Sequence, residues 1–369
     1  MSRYTDNFYD WWKNIDKYIL ILVLGLFFLG LFFSLVSTSL IASDKLNTNS
    51  YYFFLKHLIF ISLGIIILLF FSFLNQEILI KISIMLFFIA FITLLLVLFV
   101  GVEIKGSKRW LDLPFVPRFQ PIELLKPFFI IIISIVLSLN NRKIYFKYFL
   151  SAAILIPVLL MLISQPDLGQ TLLITTIWLT LIFVSGISLF LFFLFIFSAG
   201  SVISYLVIFV PKFEYIKLRL ISFLDSSSGN NYQAEKASDA IVNGGFFGKG
   251  IGEGTLNSRV PEAHTDYIVS VISEEFGAII VIGIMLIFLF LSYKVIQKIK
   301  VTKDHNIKLI LIGSISIILV QSFIHVGVNV QLLPTTGMTL PFLSYGGSSI
   351  VGTSIISGVI LNLTKRKIF

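Results

Sequence analysis

Cysteine is missing from all 369 residues of this chain. Its absence excludes a disulfide framework, a thiolate nucleophile and any Cys-based metal centre, and leaves the redox compartment unmarked. Charge is scarce as well. Asp, Glu, Lys and Arg make up 13% of the residues, while apolar residues make up 57%; soluble domains carry about 25% charge. What is abundant is phenylalanine, 38 of them, set among long Ile and Leu runs. Side chains facing lipid need no polarity, so this composition reads as an all-α integral membrane protein. The excess of Lys and Arg over Asp and Glu, 28 to 19, then speaks for topology and headgroup contact and against nucleic acid.

Crossing the hydrocarbon core takes about 20 helical residues. Ten segments qualify, near 17–42, 52–74, 79–102, 122–140, 145–164, 168–185, 187–210, 267–294, 306–331 and 339–363. The sixth and seventh share one apolar stretch, divided only at Ser185 and Gly186. The first run, Tyr18 to Ala42, is too long for a signal peptide, so a spanning helix is expected there. Lipid leaves helices as the only option, because open strands would expose unpaired backbone.

Basic residues in short loops predict the orientation. Arg142, Lys143 and Lys147, then Lys294, Lys298, Lys300, Lys303 and Lys308, then Lys365, Arg366 and Lys367 all fall on one side. The positive-inside rule makes that side cytoplasmic, with both termini on it. One polytopic domain, 1–369, is expected, with cytoplasmic tails at 1–16 and 364–369. The outer side receives a medium loop, 103–121, and a long one, 211–266. Long loops in compact proteins are usually functional.

Three polar constellations face that outer side. The first joins Gly106-Ser107-Lys108-Arg109-Trp110 to Gln120-Pro121-Ile122-Glu123-Leu124-Leu125-Lys126. Pro121 suits a first helical turn, and Glu123 and Lys126 share a face at i, i+3. They read either as a mutually satisfied pair or, with Arg109, as a cationic site for phosphate. In the second, Gln165-Pro166-Asp167-Leu168-Gly169-Gln170, Asp167 either caps a helix or orients Lys126 or Arg109.

The third runs from a glycine-rich stretch, 243–254, to Pro261-Glu262-Ala263-His264-Thr265-Asp266-Tyr267. No strand precedes the glycines, so neither a P-loop nor a dinucleotide fold is indicated. Asp266 reads as a helix-terminal charge or as a partly desolvated general base. With His264 it makes two metal ligands without a third, so no metal site is assigned. A need for a divalent cation does not follow from the residues. Gln321, His325 and Asn329 share one helix face and read as buried hydrogen-bonding groups. After them, Pro334, Pro341, Ser344 and Ser348 mark non-helical backbone buried in protein or lining a cavity.

In this order the motifs resemble the SEDS family, which holds the elongation protein RodA, the division protein FtsW and a sporulation relative. Its most specific pieces are Pro261–Asp266, Leu340–Ser349 and Arg109-Trp110 with Gln120–Lys126. Pro-Glu-Ala-His-Thr-Asp, Thr335–Thr339 and Trp11-Trp12 look more like the FtsW branch than RodA. Ile122 replaces a usual Ser, and Ser226 and Lys236-Ala237 also depart from the common pattern. None of these is a proposed catalytic charge.

The resemblance implies a ten-span glycosyltransferase of the division septum that polymerises lipid II, a disaccharide-pentapeptide on undecaprenyl diphosphate. Asp266 would be the catalytic carboxylate. Arg109 and Lys126 would stabilise the departing diphosphate, with Asp167 and Glu123 holding those cations. Lys108, Glu262, His264, Ser344 and Ser348 complete the substrate-binding set. A class B penicillin-binding protein, a transpeptidase, and other division membrane proteins are the implied partners. The rival readings are a lipid II flippase, a scaffold for the transpeptidase, and an elongation polymerase like RodA.

Overall fold

The computed structural model describes residues 9–39, 51–104, 107–114, 116–140, 143–224, 232–256 and 260–365. Gly106, Arg142, Ser226, Arg366, Lys367 and the first part of the 1–16 tail lie outside the described residues.

Ten apolar helices correspond one to one with the expected spans. They are α1 (Lys17–Ser39), α2 (Tyr52–Phe73), α3 (Gln76–Val100), α4 (Pro121–Leu137), α5 (Ile144–Ser164), α6 (Leu168–Val184), α7 (Leu189–Phe209), α11 (Ala278–Val301), α12 (His305–Asn329) and α13 (Gly347–Leu363). Three shorter helices, α8 (Glu214–Leu224), α9 (Tyr232–Gly244) and α10 (Ile268–Phe276), fall between α7 and α11. Seven of the ten are long and apolar enough to cross a membrane unaided, and the chain is a multi-pass membrane protein.

The other three, α4, α6 and α13, have 17 residues each. At 1.5 Å per residue each falls short of a ~30 Å hydrocarbon core. All three are heavily buried, and non-helical backbone adjoins each of them at one end of the bundle. Such backbone is tolerated at membrane depth only when protein covers it. Packing within lipid depends on close backbone approach by small residues. Gly352 of α13 supplies one such contact, since a Cβ there would lie 2.4 Å from the Glu123 carbonyl oxygen.

Two helix starts differ from the sequence expectation. The eighth span does not begin at 267: Gly277, at φ +83°, separates α10 from α11. A Cβ on Gly277 would stand 2.2 Å from the Phe246 carbonyl oxygen, so the glycine-rich loop reaches this break. The tenth span starts at Gly347, not 339, because residues 330–346 run without helix past Pro334 and Pro341. Gly186, at φ +95°, divides α6 from α7 at the expected place.

The medium loop folds as a small antiparallel sheet, β1 (Val102–Ile104), β2 (Ser107–Leu113) and β3 (Val116–Phe119), in that order. The long loop carries α8 and α9, and α9 buries Ala234, Ala237 and Ala240. Its glycine stretch wraps two buried carboxylates. Glu274 Oε1 accepts from the backbone N–H of Thr255 at 3.0 Å and of Leu256 at 2.8 Å, and from Asn243 Nδ2 at 2.8 Å. Glu275 Oε2 accepts from Gly252 N at 2.5 Å. The glycines therefore serve local backbone packing. At the far end of α11, Lys298 pairs with Asp16 at 2.7 Å.

Candidate active site

A cavity of about 300 Å³ opens where the sheet, the long loop and the 330–346 segment meet. Its walls carry Arg109 and Trp110 from β2, Gln120 and Glu123 from the start of α4, and Gln170 from α6. Facing residues are Arg219 from α8, Gln233 from α9, Glu262 and Thr265–Tyr267, Thr335–Thr339, and Ser348 and Ser349.

Asp266 is half-buried in this wall. A Cβ built on Gly337 would lie 3.6 Å from its Oδ2, so the 335–339 segment backs the carboxylate. Its main chain is held by α12, where Asn329 Nδ2 donates to the Asp266 carbonyl at 3.1 Å. One turn earlier His325 Nδ1 lies 2.7 Å from the Met338 carbonyl. A further turn back, Gln321 Nε2 donates to the Thr339 carbonyl at 2.9 Å. The polar face of α12 is thus a ladder that fixes two wall segments. Ser344 adds a tie from the opposite direction: Oγ donates to the Thr265 carbonyl at 2.7 Å and accepts from Leu340 N at 2.8 Å.

The cationic side is built from linked pairs. Arg109 Nε donates to the Gln165 carbonyl at 3.3 Å, Nη2 donates to the Pro166 carbonyl, and Nε lies 3.7 Å from Asp167 Oδ2. Asp167 caps α6 through Gln170 N at 3.3 Å and accepts from Gln120 Nε2 at 3.0 Å. Burial pushes the Asp167 carboxyl above its ordinary value, and the Arg109 charge opposes that push. Glu123 Oε1 accepts from Gln170 Nε2 at 2.6 Å, and its Oε2 is 2.7 Å from Lys126 Nζ. Lys126 also donates to Gln321 Oε1 at 3.0 Å. One chain of contacts therefore runs from Lys126 through Glu123, Gln170 and Asp167 to Arg109.

Of the residues singled out by sequence, Asp266, Arg109, Glu123, Glu262 and Ser348 line the cavity together. Lys126 and Asp167 stand behind its wall, because each is buried against a partner of opposite charge. Ser344 is likewise buried, as a tie between loops. The His264 ring packs 5.1 Å from Phe53 and 5.7 Å from Tyr345, and it is the His264 carbonyl that accepts from Tyr345 N. Lys108 points to solvent on β2, where it is the register partner of Glu103. Glu262 has φ +56°, and its Oε2 accepts from Thr265 Oγ1 at 3.0 Å, which shapes the turn leading to Asp266. Arg219 and Gln233 lie in the long loop, close in sequence to the family-pattern positions Ser226 and Lys236-Ala237 but not singled out among the candidate residues; the tertiary fold brings them to the cavity.

A family model described as "cell cycle protein", covering FtsW, RodA and SpoVE, matches residues 16–368. The chain belongs to this FtsW/RodA/SpoVE family. Among relatives, the probable peptidoglycan glycosyltransferase FtsW of Coxiella burnetii is 34% identical over 367 residues, covering 95% of this chain and 96% of that protein. The corresponding Caulobacter vibrioides protein is 28% identical over 366 residues, covering 97% and 91%. A chain solved for the structural coordination of polymerization and crosslinking by a peptidoglycan synthase complex aligns with a TM-score of 0.78 at 25% identity, covering 95% of this chain and 97% of that one. Thermus thermophilus rod shape determining protein RodA shares the fold at a TM-score of 0.70 and 23% identity, covering 95% and 96%. The FtsW/RodA/SpoVE fold thus extends over nearly the whole length of this chain.

Proposed function

We propose that this protein is a peptidoglycan glycosyltransferase that polymerises lipid II at the outer face of the cytoplasmic membrane. The observation that carries this reading is one cavity holding Asp266 and Arg109 together at one end of a membrane bundle of this family. Asp266 acts as general base on the acceptor hydroxyl. As that oxygen bonds to the anomeric carbon of the donor, the bond from carbon to the diphosphate oxygen breaks and configuration inverts. Negative charge then grows on the leaving diphosphate, where a preorganised cation is most effective. Arg109 supplies that cation, and Asp167 and the two carbonyls hold its guanidinium in place. Lys126 and Glu123 keep the wall behind it in register.

Orientation follows from charge. Lys298 and its basic neighbours lie at the end of α11 remote from the cavity, which suits a cytoplasmic face with both termini on it. The relatives named FtsW support a place in septal wall synthesis. The solved synthase complex supports a class B transpeptidase as the working partner. A flippase would need polar side chains through the depth of the bundle, whereas the charged lining here gathers at one end.

The test is strand synthesis from purified lipid II by the full-length chain with its transpeptidase partner. Wild type is expected to make glycan strands and a folded Asp266→Asn variant none. Strand synthesis by Asp266→Asn at the wild-type rate would remove Asp266 as the base. Inactivity of the wild type beside an active relative would remove the polymerase reading.

A further inference from the structure

Phe246 and Phe247, at the turn of the glycine-rich loop, are 54% and 79% exposed. Their rings meet edge to face at 5.1 Å and form one apolar patch. The main chain beneath them is fixed. Gly248 N donates to the Gly244 carbonyl at 2.9 Å, Lys249 N to the Glu274 carbonyl at 2.8 Å and Gly250 N to the Glu275 carbonyl at 3.0 Å. The loop also serves α11, since the Gly245 carbonyl accepts from Ala278 N at 3.0 Å and the Phe246 carbonyl from Ile279 N at 3.3 Å. These are first-turn N–H groups, which have no partner inside their own helix. Two large rings are therefore held outward on a pinned backbone. An apolar patch of this kind marks a surface that something covers.

The outward surface of α11 identifies the cover. Ile279, Ile282, Leu286, Leu289, Phe290 and Tyr293 are all exposed, at three- and four-residue spacing, and make one apolar stripe. On a spanning helix such a stripe faces lipid. Ile279 begins the stripe and is the residue whose N–H bonds Phe246, so the patch continues the stripe past the end of the helix. Depth agrees with this. Lys298, paired with Asp16, marks the remote end of α11. It lies 20 residues beyond Ala278, a rise of about 30 Å and the thickness of a hydrocarbon core. Phe246 and Phe247 thus stand at the opposite boundary of the bilayer. Lys249 is exposed two residues past Phe247. Aromatic rings beside a cation are the composition of an interfacial anchor, the rings at the acyl boundary and the ammonium among phosphates.

We propose that Phe246 and Phe247 insert into the leaflet on the cavity side of the membrane, which makes the glycine-rich loop a phospholipid anchor. This depends on where α11 sits in the bilayer and not on the chemistry of the cavity. Its consequence for the cavity is depth. Helix α10 starts at Ile268, two residues past Asp266, and carries in its last turn Glu274 and Glu275, which the loop wraps. Anchoring the loop therefore sets the height of Asp266 above the lipid. A protein partner seated on the two rings would instead leave them in water whenever the chain is alone.

The chain has no cysteine, so Phe247→Cys accepts a single nitroxide label. The full-length labelled protein is reconstituted in vesicles of phosphatidylethanolamine and phosphatidylglycerol in equal parts. Collision of the label with oxygen, which concentrates in lipid, is compared with collision with a nickel chelate, which stays in water. The label at Phe247→Cys is expected to favour oxygen, as one at Ile282→Cys in the α11 stripe does. A label at Asp112→Cys, exposed on the sheet beside Arg118, is expected to favour the chelate. A ratio at Phe247→Cys equal to that at Asp112→Cys overturns the proposal. So does a label shielded from both reagents, which would mean that protein covers the site. A label that leaves water only when the transpeptidase partner is added overturns it too, and assigns the patch to that partner.

The second measurement needs no variant. Hydroxyl-radical footprinting of wild type in the same vesicles, read by mass spectrometry, is expected to leave Phe246 and Phe247 unmodified, as it leaves Phe290 of the stripe. Tyr232, an exposed ring on α9, is expected to be oxidised. Oxidation of Phe246 and Phe247 alongside Tyr232 overturns the proposal even if Phe247→Cys fails to fold.

Discussion

Lys126 Nζ lies 2.7 Å from Glu123 Oε2, three residues earlier on α4, with side-chain exposures of 2% and 5%. Gln321 and Gln170 complete the set by bonding the other side of each charge. Two charges so deeply buried are tolerable only as a pair. Glu123 therefore borders the cavity as half of an ion pair, with Lys126 as its buried support.

Removing one partner leaves the other charge stranded. Lys126→Met is expected to destabilise the protein by about 3–5 kcal/mol. The double change Lys126→Met with Glu123→Gln should restore much of that loss. Unfolding in detergent, followed for the two single variants and the double, measures the coupling. Additive losses would mean that the pair does not exist in the membrane.

Asn329 positions Asp266 through its main chain, donating to that carbonyl at 3.1 Å and to the His325 carbonyl at 2.8 Å. Asn329→Ala is expected to lower kcat by roughly ten- to a hundredfold while leaving KM for lipid II nearly unchanged, because misplacing the proposed base costs rate before affinity. An unaltered kcat would show that Asp266 is held without Asn329.

Gly277 has no room for a side chain and a backbone that disfavours one. The φ of +83° costs about 1–3 kcal/mol for any other residue, and the approach of the Phe246 carbonyl oxygen to 2.2 Å from a Cβ adds to it. Gly277→Ala should sharply reduce the yield of monodisperse protein. Gly283→Ala, on the same α11 with nothing within 4 Å of its Cβ position, should be neutral or slightly stabilising. Equal behaviour of the two variants would contradict the packing of the glycine loop on the α10–α11 break.

Asp16 gives the ion pair at the remote end a defined pH dependence. Burial alone would raise its carboxyl, but Lys298 and the N–H groups of Ile19 and Tyr18 outweigh burial and hold it below its ordinary value. A depressed folded value stabilises the protein above the unfolded value of about 3.9. That contribution disappears as pH falls through the lower folded value. Wild type should therefore melt at a higher temperature than Asp16→Asn at pH 7, and the difference should shrink toward pH 3. A constant difference across that range would assign the effect to packing alone.

Much of this arrangement was legible in the residues, and the exceptions share a cause. The ten apolar segments emerge from run length, because hydrocarbon admits only helices across it. The helix face of Gln321, His325 and Asn329 was readable as buried hydrogen bonding, although the sequence did not disclose the partners. Those partners, the Met338, Thr339 and Asp266 carbonyls, depend on how the 330–346 segment returns into the bundle. Apolar composition also ran across Gly277, so hydropathy merged α10 with α11. Backbone geometry at one glycine left no trace in hydropathy.

The class of protein and the residues that stand out as charged against apolar runs are written in the order of the residues. Apolar length dictates helices, and charges beside apolar runs stand out because lipid makes them costly. Which of those charges face the cavity and which stand behind it follows from how distant segments pack together. Glu123 and Lys126 are equally conspicuous in the chain, yet one lines the wall and the other supports it. Arg219 is the reverse case, a basic residue of a polar loop that folding carries to the cavity. Burial, pairing and access depend on contacts between residues far apart in the chain, and no local pattern encodes them.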